Sequence, residues 1–554
     1  MRRPDDHGPA TLTETTTMQI AIPSIGSALV PALLAALAAT GAAPALAQGT
    51  ASAEPEPGMW AFDGELTGQP GRSLQIDTQL GRGMVVSYLG YRADGSALFL
   101  QASGYRAQDD NSFTGELREF RNGPVIGGGA ANGEVAGSVG TLRLAFDTPT
   151  SGTVTLPGEA PRRISRFTYG NQQLSRDFDR QIEIGLYSQA SRSPRTATYR
   201  MRLSDSNLRL EQLSSSDGSL CAYSGPYQVR GGTLASQGTK VCTDASGAQQ
   251  QGTYKIEQLR FDSQGFLSGR MEIDGASVVA AGACWMTGAV NSGTPAPCST
   301  HFYGGFSLQT GMWSFDDELD GRPGRSLQIE NLPGSGALIV SYLGYRADGS
   351  SLFLQGSAPV DMVQVRNYEI PLKEFRNGPV IGGAVTPGQE AASVGTAQLV
   401  LNSPTTGTIT LPGDTPRRIS RYRYEDHTAR FDKAFAGQGY RSPYPASDSI
   451  AIDLVARNGV FRMDTIAMGT YKNCQYRGTY DLAGNGLATS GSLNCQASEG
   501  GTNTEYRSGY FTVDADGMLR GYLRHSANVP YLITAGCMGS NSSLCTRDEL
   551  QQPR

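Results

Sequence analysis

The chain has 554 residues, with 46 Lys and Arg against 51 Asp and Glu, a formal net charge of −5 and 70 glycines. Its basic residues are scattered, which leaves no electrostatic footprint for nucleic acid, and no polybasic or amphipathic stretch suits a membrane surface. Glycine far above the usual ~7%, with no periodic helical segment beside it, implies many short strands joined by turns.

Residues 1–47 read as a signal peptide. An apolar, alanine- and leucine-rich run over 28–39 precedes Ala45-Leu46-Ala47 and Gln48, the small-residue pattern of a cleavage site. That run is shorter than the ~20 apolar residues of a membrane span, and no later stretch qualifies. Met18 is an alternative start, and Arg2-Arg3 is followed by Pro4-Asp5-Asp6, unlike a twin-arginine signal. The expectation is export, to the periplasm or beyond the cell, without membrane insertion after signal removal. A linker, 48–56, follows.

From residue 57 the sequence is one unit written twice. Gly58-Met59-Trp60 through Cys298 recurs as Gly311-Met312-Trp313 through Cys545. Four blocks match almost without substitution: Pro70–Ile76 with Pro323–Ile329, Ser87–Ser96 with Ser341–Ser350, Glu119–Gly128 with Glu374–Gly383, and Pro161–Arg166 with Pro416–Arg421. So long a period means tandem domains, since solenoid repeats run ~20 to 50 residues. Each unit divides again, giving β subdomains A1 (57–170) and A2 (306–424) without cysteine, and B1 (171–305) and B2 (425–554) with four cysteines each.

Within A1, β-rich runs recur at about 8 to 15 residues, separated by glycine, proline and aspartate turns, the pattern of an antiparallel sandwich or barrel. They cover Leu74–Gln79, Met84–Tyr91, Ala97–Ser103, Ser112–Phe120, Gly140–Phe146, Gly152–Leu156 and Ile164–Tyr169. Asp94-Gly95 suits a two-residue hairpin turn, which predicts Tyr91 opposite Leu98, Gly90 opposite Phe99, Leu89 opposite Leu100 and Tyr88 opposite Gln101. Leu89, Tyr91, Leu98 and Leu100 then face the core, as do Leu343, Tyr345, Leu352 and Leu354 in A2. B1 shows the same style in Thr198–Leu210, Tyr223–Val229, Gly252–Phe261 and Leu267–Ile273, with turns at Asp262–Gly265 and, in B2, Asp514–Gly517. The Asp-x-Asp-Gly fragment of the latter lacks the remaining ligands of a calcium loop.

Eight cysteines fit an oxidising compartment. Without Cys-x-x-Cys pairs or nearby histidines they do not read as zinc ligands, and no metal or cofactor is expected. Four per unit allow three pairings; the favoured one joins Cys221 to Cys242 and Cys284 to Cys298, and in the second unit Cys474 to Cys495 and Cys537 to Cys545.

Candidate chemistry is sparse. Past the signal the histidines are His301, His427 and His525, none with a counterpart in the other unit. They read as exposed and incidental. Asp63 with Glu65, or Glu116 with Glu119 (twin of Glu374), offers the two acids of glycoside hydrolysis. Trp60, Tyr88 and Phe99, with Trp313, Tyr342 and Phe353, are the ligand-binding candidates, because aromatics beside a few polar groups line common ligand sites. The competing reading puts Phe99 over Gly90, an aromatic covering a strand glycine, and Trp60 in a core. Arg162, Arg163 and Arg166, repeated as Arg417, Arg418 and Arg421, do not converge on one strand face and read as solvated or ion-paired.

Two resemblances arise at these residues. Gly71, Arg72 and Ile76, followed by Tyr88, Tyr91, Asp94, Gly95 and Phe99, resemble an uncharacterised repeat domain of exported proteobacterial proteins, confined to the A subdomains; Ser73 and Leu98-Phe99 depart from it. Gly58-Met59-Trp60 is similar to the Gly-x-Trp opening of lipocalin- and avidin-like barrels, which implies a late arginine such as Arg166 packed over the tryptophan. The expectation is an all-β protein of two tandem units, each an antiparallel barrel or sandwich plus a disulfide-bearing β subdomain. It would be an exported, non-catalytic binding or interaction protein for a small molecule, glycan or protein. A secreted, carboxylate-dependent, glycosidase-like hydrolase is the alternative, and an inhibitor of a secreted enzyme a third.

Overall fold

The computed structural model describes residues 54–554, apart from residues 80, 108–110, 170–180, 189–194, 205, 215–217, 231, 262–265, 287–295, 298–307, 332–336, 361–365, 442–445, 468–472, 497–501, 526–529 and 540–543. From Ala51 onward the chain is one compact body. It holds four closed antiparallel barrels of eight strands, each strand pairing with its neighbours in sequence. Closure satisfies both edges of every strand along its paired length, so the barrel alternative holds and the sandwich does not.

A1 consists of β1 (Gly58–Phe62), β2 (Ser73–Thr78), β3 (Gly83–Tyr91), β4 (Ala97–Tyr105), β5 (Ser112–Arg121), β6 (Glu134–Thr148), β7 (Ser151–Thr155) and β8 (Arg162–Arg166), and β1 pairs with β8 to close it. A2 repeats this from Gly311–Phe315 to Arg417–Arg421. B1 runs from Gln181–Ser188 to Ala276–Met286, with the short strand Ala296–Pro297 added, and B2 from Lys433–Arg441 to Pro530–Cys537. The run Thr198–Leu210, expected as one strand, is a hairpin of Arg195–Ser204 and Asn207–Gln212.

Eight strands leave an interior that side chains can fill. In A1 strict alternation supplies them: Phe113 and Leu117 on β5 and Leu142, Leu144 and Phe146 on β6 point in, while Thr114, Glu116 and Arg143 point out. Trp60 plugs the interior at 0% exposure, its Nε1 donating to Glu56 O at 3.0 Å.

The β3–β4 hairpin departs from expectation by one residue. Arg92 N donates to Ser96 O at 2.8 Å and Gly95 N to Arg92 O at 2.9 Å, with Gly95 at φ 84°. Three residues therefore make the loop, a turn closed by a left-handed glycine. The pairs are Tyr91 with Ala97, Gly90 with Leu98, Leu89 with Phe99 and Tyr88 with Leu100, and A2 matches them. A one-residue slip exchanges the faces. Tyr88, Leu98 and Leu100 fill the barrel, whereas Leu89, Tyr91, Ala97 and Phe99 lie outside it, against A2. Gly90 is covered by Tyr88, not Phe99: a Cβ there would collide with the Tyr88 phenol, as one on Gly344 would with Tyr342.

Disulfides staple the B barrels. Cys221–Cys242 and Cys474–Cys495 each join directly opposite residues of neighbouring strands. Cys537–Cys545 ties the last strand to the C-terminal tail, whose short helix Arg547–Gln551 starts at a capping box of Thr546 and Glu549. Cys298 and the Cys284 side chain lie outside the described residues, as do Asp262–Gly265. Asp514–Gly517 is a turn: Asp514 Oδ1 accepts from Asp516 N and Met518 N, both at 3.0 Å, and Gly517 N donates to Asp514 O.

The seam between the A barrels and the ribbons beside it

The four near-identical sequence blocks meet one another across a seam between A1 and A2. Asn122 N donates to Gly349 O and Asn377 N to Gly95 O, both at 2.8 Å. The Tyr345 ring covers Gly123, and the Tyr91 ring covers Gly378. Arg92 Nη1 donates to Ser351 O and Arg346 Nη1 to Ala97 O, both at 3.2 Å. Phe99 packs edge-on to Tyr345 at 6.2 Å and Phe353 to Tyr91 at 6.1 Å. Residue i of one copy touches residue j of the other, and j touches i, the signature of a two-fold interface. Here both halves belong to one chain. A change in one copy therefore alters one of each pair of equivalent contacts and leaves the other in place.

Two buried ion pairs close the seam. Arg166 Nη2 meets Glu330 Oε1 at 2.6 Å, and Arg421 Nη2 meets Asp77 Oδ1 at 2.5 Å. Each carboxylate also accepts a main-chain N–H of the other barrel's first strand, Met59 at 2.7 Å and Met312 at 3.0 Å. Tyr169 and Tyr424 hydroxyls donate to the carbonyls of those same acids. Arg166 and Arg421 are thus not solvated edge residues; the partner barrel's acid draws each inside. The guanidinium of Arg166 binds Met59 O and Glu330 while sharing a register position with Trp60. Asp77 and Glu330 escaped the sequence reading. Their signal was an acid at matched positions directly after the shared Ser-Leu-Gln-Ile run, Ile76-Asp77 and Ile329-Glu330.

The acids weighed for hydrolysis, Asp63 excepted, are held in ion pairs. Arg72, 4.7 Å over the Phe62 ring, binds Glu65 at 2.5 Å and Glu159 at 2.6 Å. Arg325, 4.7 Å over Phe315, binds Glu318 at 2.6 Å and Asp414 at 2.9 Å. Burial raises the Glu159 pKa, but Arg72 and the Gly382 N–H outweigh it and hold the carboxyl below its usual range. Glu116 pairs with Arg118, Glu119 with Arg92 and Glu374 with Arg346, while Asp63 is exposed.

The six aromatic candidates are buried. Trp60, Tyr88, Trp313 and Tyr342 sit inside the A barrels, and Phe99 and Phe353 in the seam, none above 4% exposure. His427 is not exposed but buried at 3%, beside Phe431. Burial first, then Arg430 and Arg423, lower its pKa to about 4. His301 and the His525 side chain lie outside the described residues.

What faces solvent in both copies is a two-stranded ribbon. β5 and β6 continue their pairing past the barrel wall, Arg118–Arg121 against Glu134–Ser138, through two bulges. Residues 134–139 are exposed without alternation, as are 389–394 in A2. β7 pairs with β6 only from Arg143 onward, and in A2 the corresponding pairing starts at Gln398.

No family model and no curated protein matches the chain. Among solved structures, isotype 1 transferrin binding protein B of serogroup B Neisseria meningitidis aligns over 81% of this chain and 88% of that one, at 10% identity and a TM-score of 0.14. That score is too low to mark a shared fold.

Proposed function

We propose that this is an exported, non-catalytic binding or interaction protein that engages its ligand through outer surfaces of the barrels. The observation carrying this reading is the packing of the A barrels. Their interiors are occupied by the Trp60 and Tyr88 rings and their counterparts, and the paired acids Glu65 with Glu159 and Glu318 with Asp414 are tied to buried arginines. The three disulfides among the described residues fit an oxidising compartment. The pseudo-two-fold seam presents two similar faces on one body, and a partner with repeated epitopes gains avidity when both engage.

The test is to incubate the full exported chain with glycan and peptide arrays and follow both retention and turnover. Retention without product supports the reading. Product formation lost in Glu119→Gln with Glu374→Gln favours the carboxylate hydrolase instead.

A further inference from the structure

We infer that the outer edge of each A-barrel ribbon, Glu134–Thr141 and Gln389–Thr396, takes an extended, uncharged segment of a partner protein as an added strand. This rests on the binding reading above and names its surface. Strand addition needs a sheet edge whose main-chain groups are unpaired and reachable. Among the described residues, no strand pairs with the outward side of β6 before Arg143 or of the A2 counterpart before Gln398. The strand that takes that edge in the barrel, β7, ends at Thr155, and Pro157 lies against Gly140 where β7 turns away; Pro412 and Gly395 repeat this in A2.

The edges lack the usual protection by lysine or proline. They read Glu-Val-Ala-Gly-Ser-Val-Gly-Thr and Gln-Glu-Ala-Ala-Ser-Val-Gly-Thr, with Val135 at 49%, Val139 at 41% and Val394 at 37% exposure. The edge strands carry one charge each, and both are paired across the ribbon: Glu134 with Arg121 and Glu390 with Lys373. The edge strands themselves, Glu134–Thr141 and Gln389–Thr396, keep no unpaired charge beside an added strand, which selects an uncharged segment; Arg376, which has no ion pair among the described residues, lies on the inner strand of the A2 ribbon, opposite Gln389. Two bulges bend each ribbon, a device that stops pairing from propagating, so the added segment is short and stacking of whole chains is disfavoured. The A2 ribbon base rests on the A1 barrel, Gly388 N donating to Pro70 O at 2.7 Å, and at the A1 ribbon base Gly133 lies against Pro323 of A2. The seam therefore holds both edges at fixed positions.

The test uses the full chain and a displayed library of eight-residue peptides, followed by hydrogen exchange with the enriched peptides bound. The expected result is enrichment of uncharged, β-branched peptides that slow amide exchange at least tenfold within 134–141 and 389–396. Val139→Lys with Val394→Lys, both at exposed positions, should weaken their binding at least tenfold without moving the melting temperature. Equal binding to this variant, protection elsewhere on the surface, or no enrichment overturns the inference. Protection elsewhere leaves the binding reading standing, because the peptide is then bound by another face. Concentration-dependent self-association that protects the same two segments names a second copy as occupant and also overturns it.

Discussion

Glu330→Ala tests whether the seam is held by reciprocal buried charge. The carboxylate is 1% exposed and receives both Arg166 Nη2 at 2.6 Å and Met59 N at 2.7 Å; Arg166 is 2% exposed. Removing one member of such a pair leaves the other charge buried, typically at a cost of about 3–5 kcal/mol. Glu56 stays 3.8 Å from Arg166 Nε and relieves part of that, which points to the lower end, about 3 kcal/mol. That is roughly a hundredfold in the folded-to-unfolded ratio. Trp60 and Trp313, both fully buried in A barrels, report the loss as a lower urea midpoint by fluorescence. Glu116→Ala, which breaks the half-exposed Arg118 pair, should shift the urea midpoint far less, because solvent screens an exposed pair. Arg166→Met with Glu330→Leu should recover most of the Glu330→Ala loss, since an apolar replacement of the whole pair leaves no stranded charge. A Glu330→Ala cost no larger than that of Glu116→Ala, or a double variant weaker than the single one, refutes the reasoning.

Three further outcomes are expected. His427, with its pKa lowered to about 4 by burial and by Arg430 and Arg423, is neutral in the fold. Its stabilisation is complete above the unfolded value of about 6.5 and falls by roughly 3 kcal/mol as pH drops toward 4; urea midpoints of His427→Leu should be flatter over that window than those of the unaltered chain. Gly90→Ala drives a Cβ into the Tyr88 phenol and should cost about 1–3 kcal/mol by overpacking, partly recovered by Tyr88→Phe; no loss in Tm would contradict the Tyr88 placement. Thiol titration of the denatured, unreduced chain should find no free thiol among the eight cysteines. Reduction should destabilise the B barrels by about 3 kcal/mol per cross-strand disulfide, read as a fall in Tm.

The strand-rich, glycine-punctuated pattern gave the all-β class because alternation and turn residues act locally. It left barrel and sandwich open, since both satisfy the same alternation. The hairpin register failed at Asp94-Gly95 for a local reason with distant consequences. Asp-Gly suits a two-residue turn, but here Gly95 closes a three-residue loop, and one residue exchanges the faces of β3 relative to β4: Leu98 and Leu100 stay inside the barrel, while Leu89 and Tyr91 lie outside it and Tyr88 takes their place. Leu89 and Tyr91 looked like core because they are apolar; β3 is buried at every position, and hydrophobicity does not distinguish a barrel interior from a neighbouring barrel. The aromatics named as ligand candidates are buried, in the barrel interiors and in the seam. The ribbons went unnoticed, because a strand exposed on both faces has no periodic signal.

Local chemistry in the sequence determined the duplication, the strands, the turn at Asp514–Gly517 and the spacing of the cysteines. Only the tertiary structure decided what the duplicated blocks are for. The seam pairs the block arginines with acids just beyond the blocks, Arg166 with Glu330 and Arg421 with Asp77, more than a hundred positions apart, and no local propensity couples them. Folding of the two copies against each other brings each arginine to the other copy's acid and leaves the two ribbon edges facing solvent.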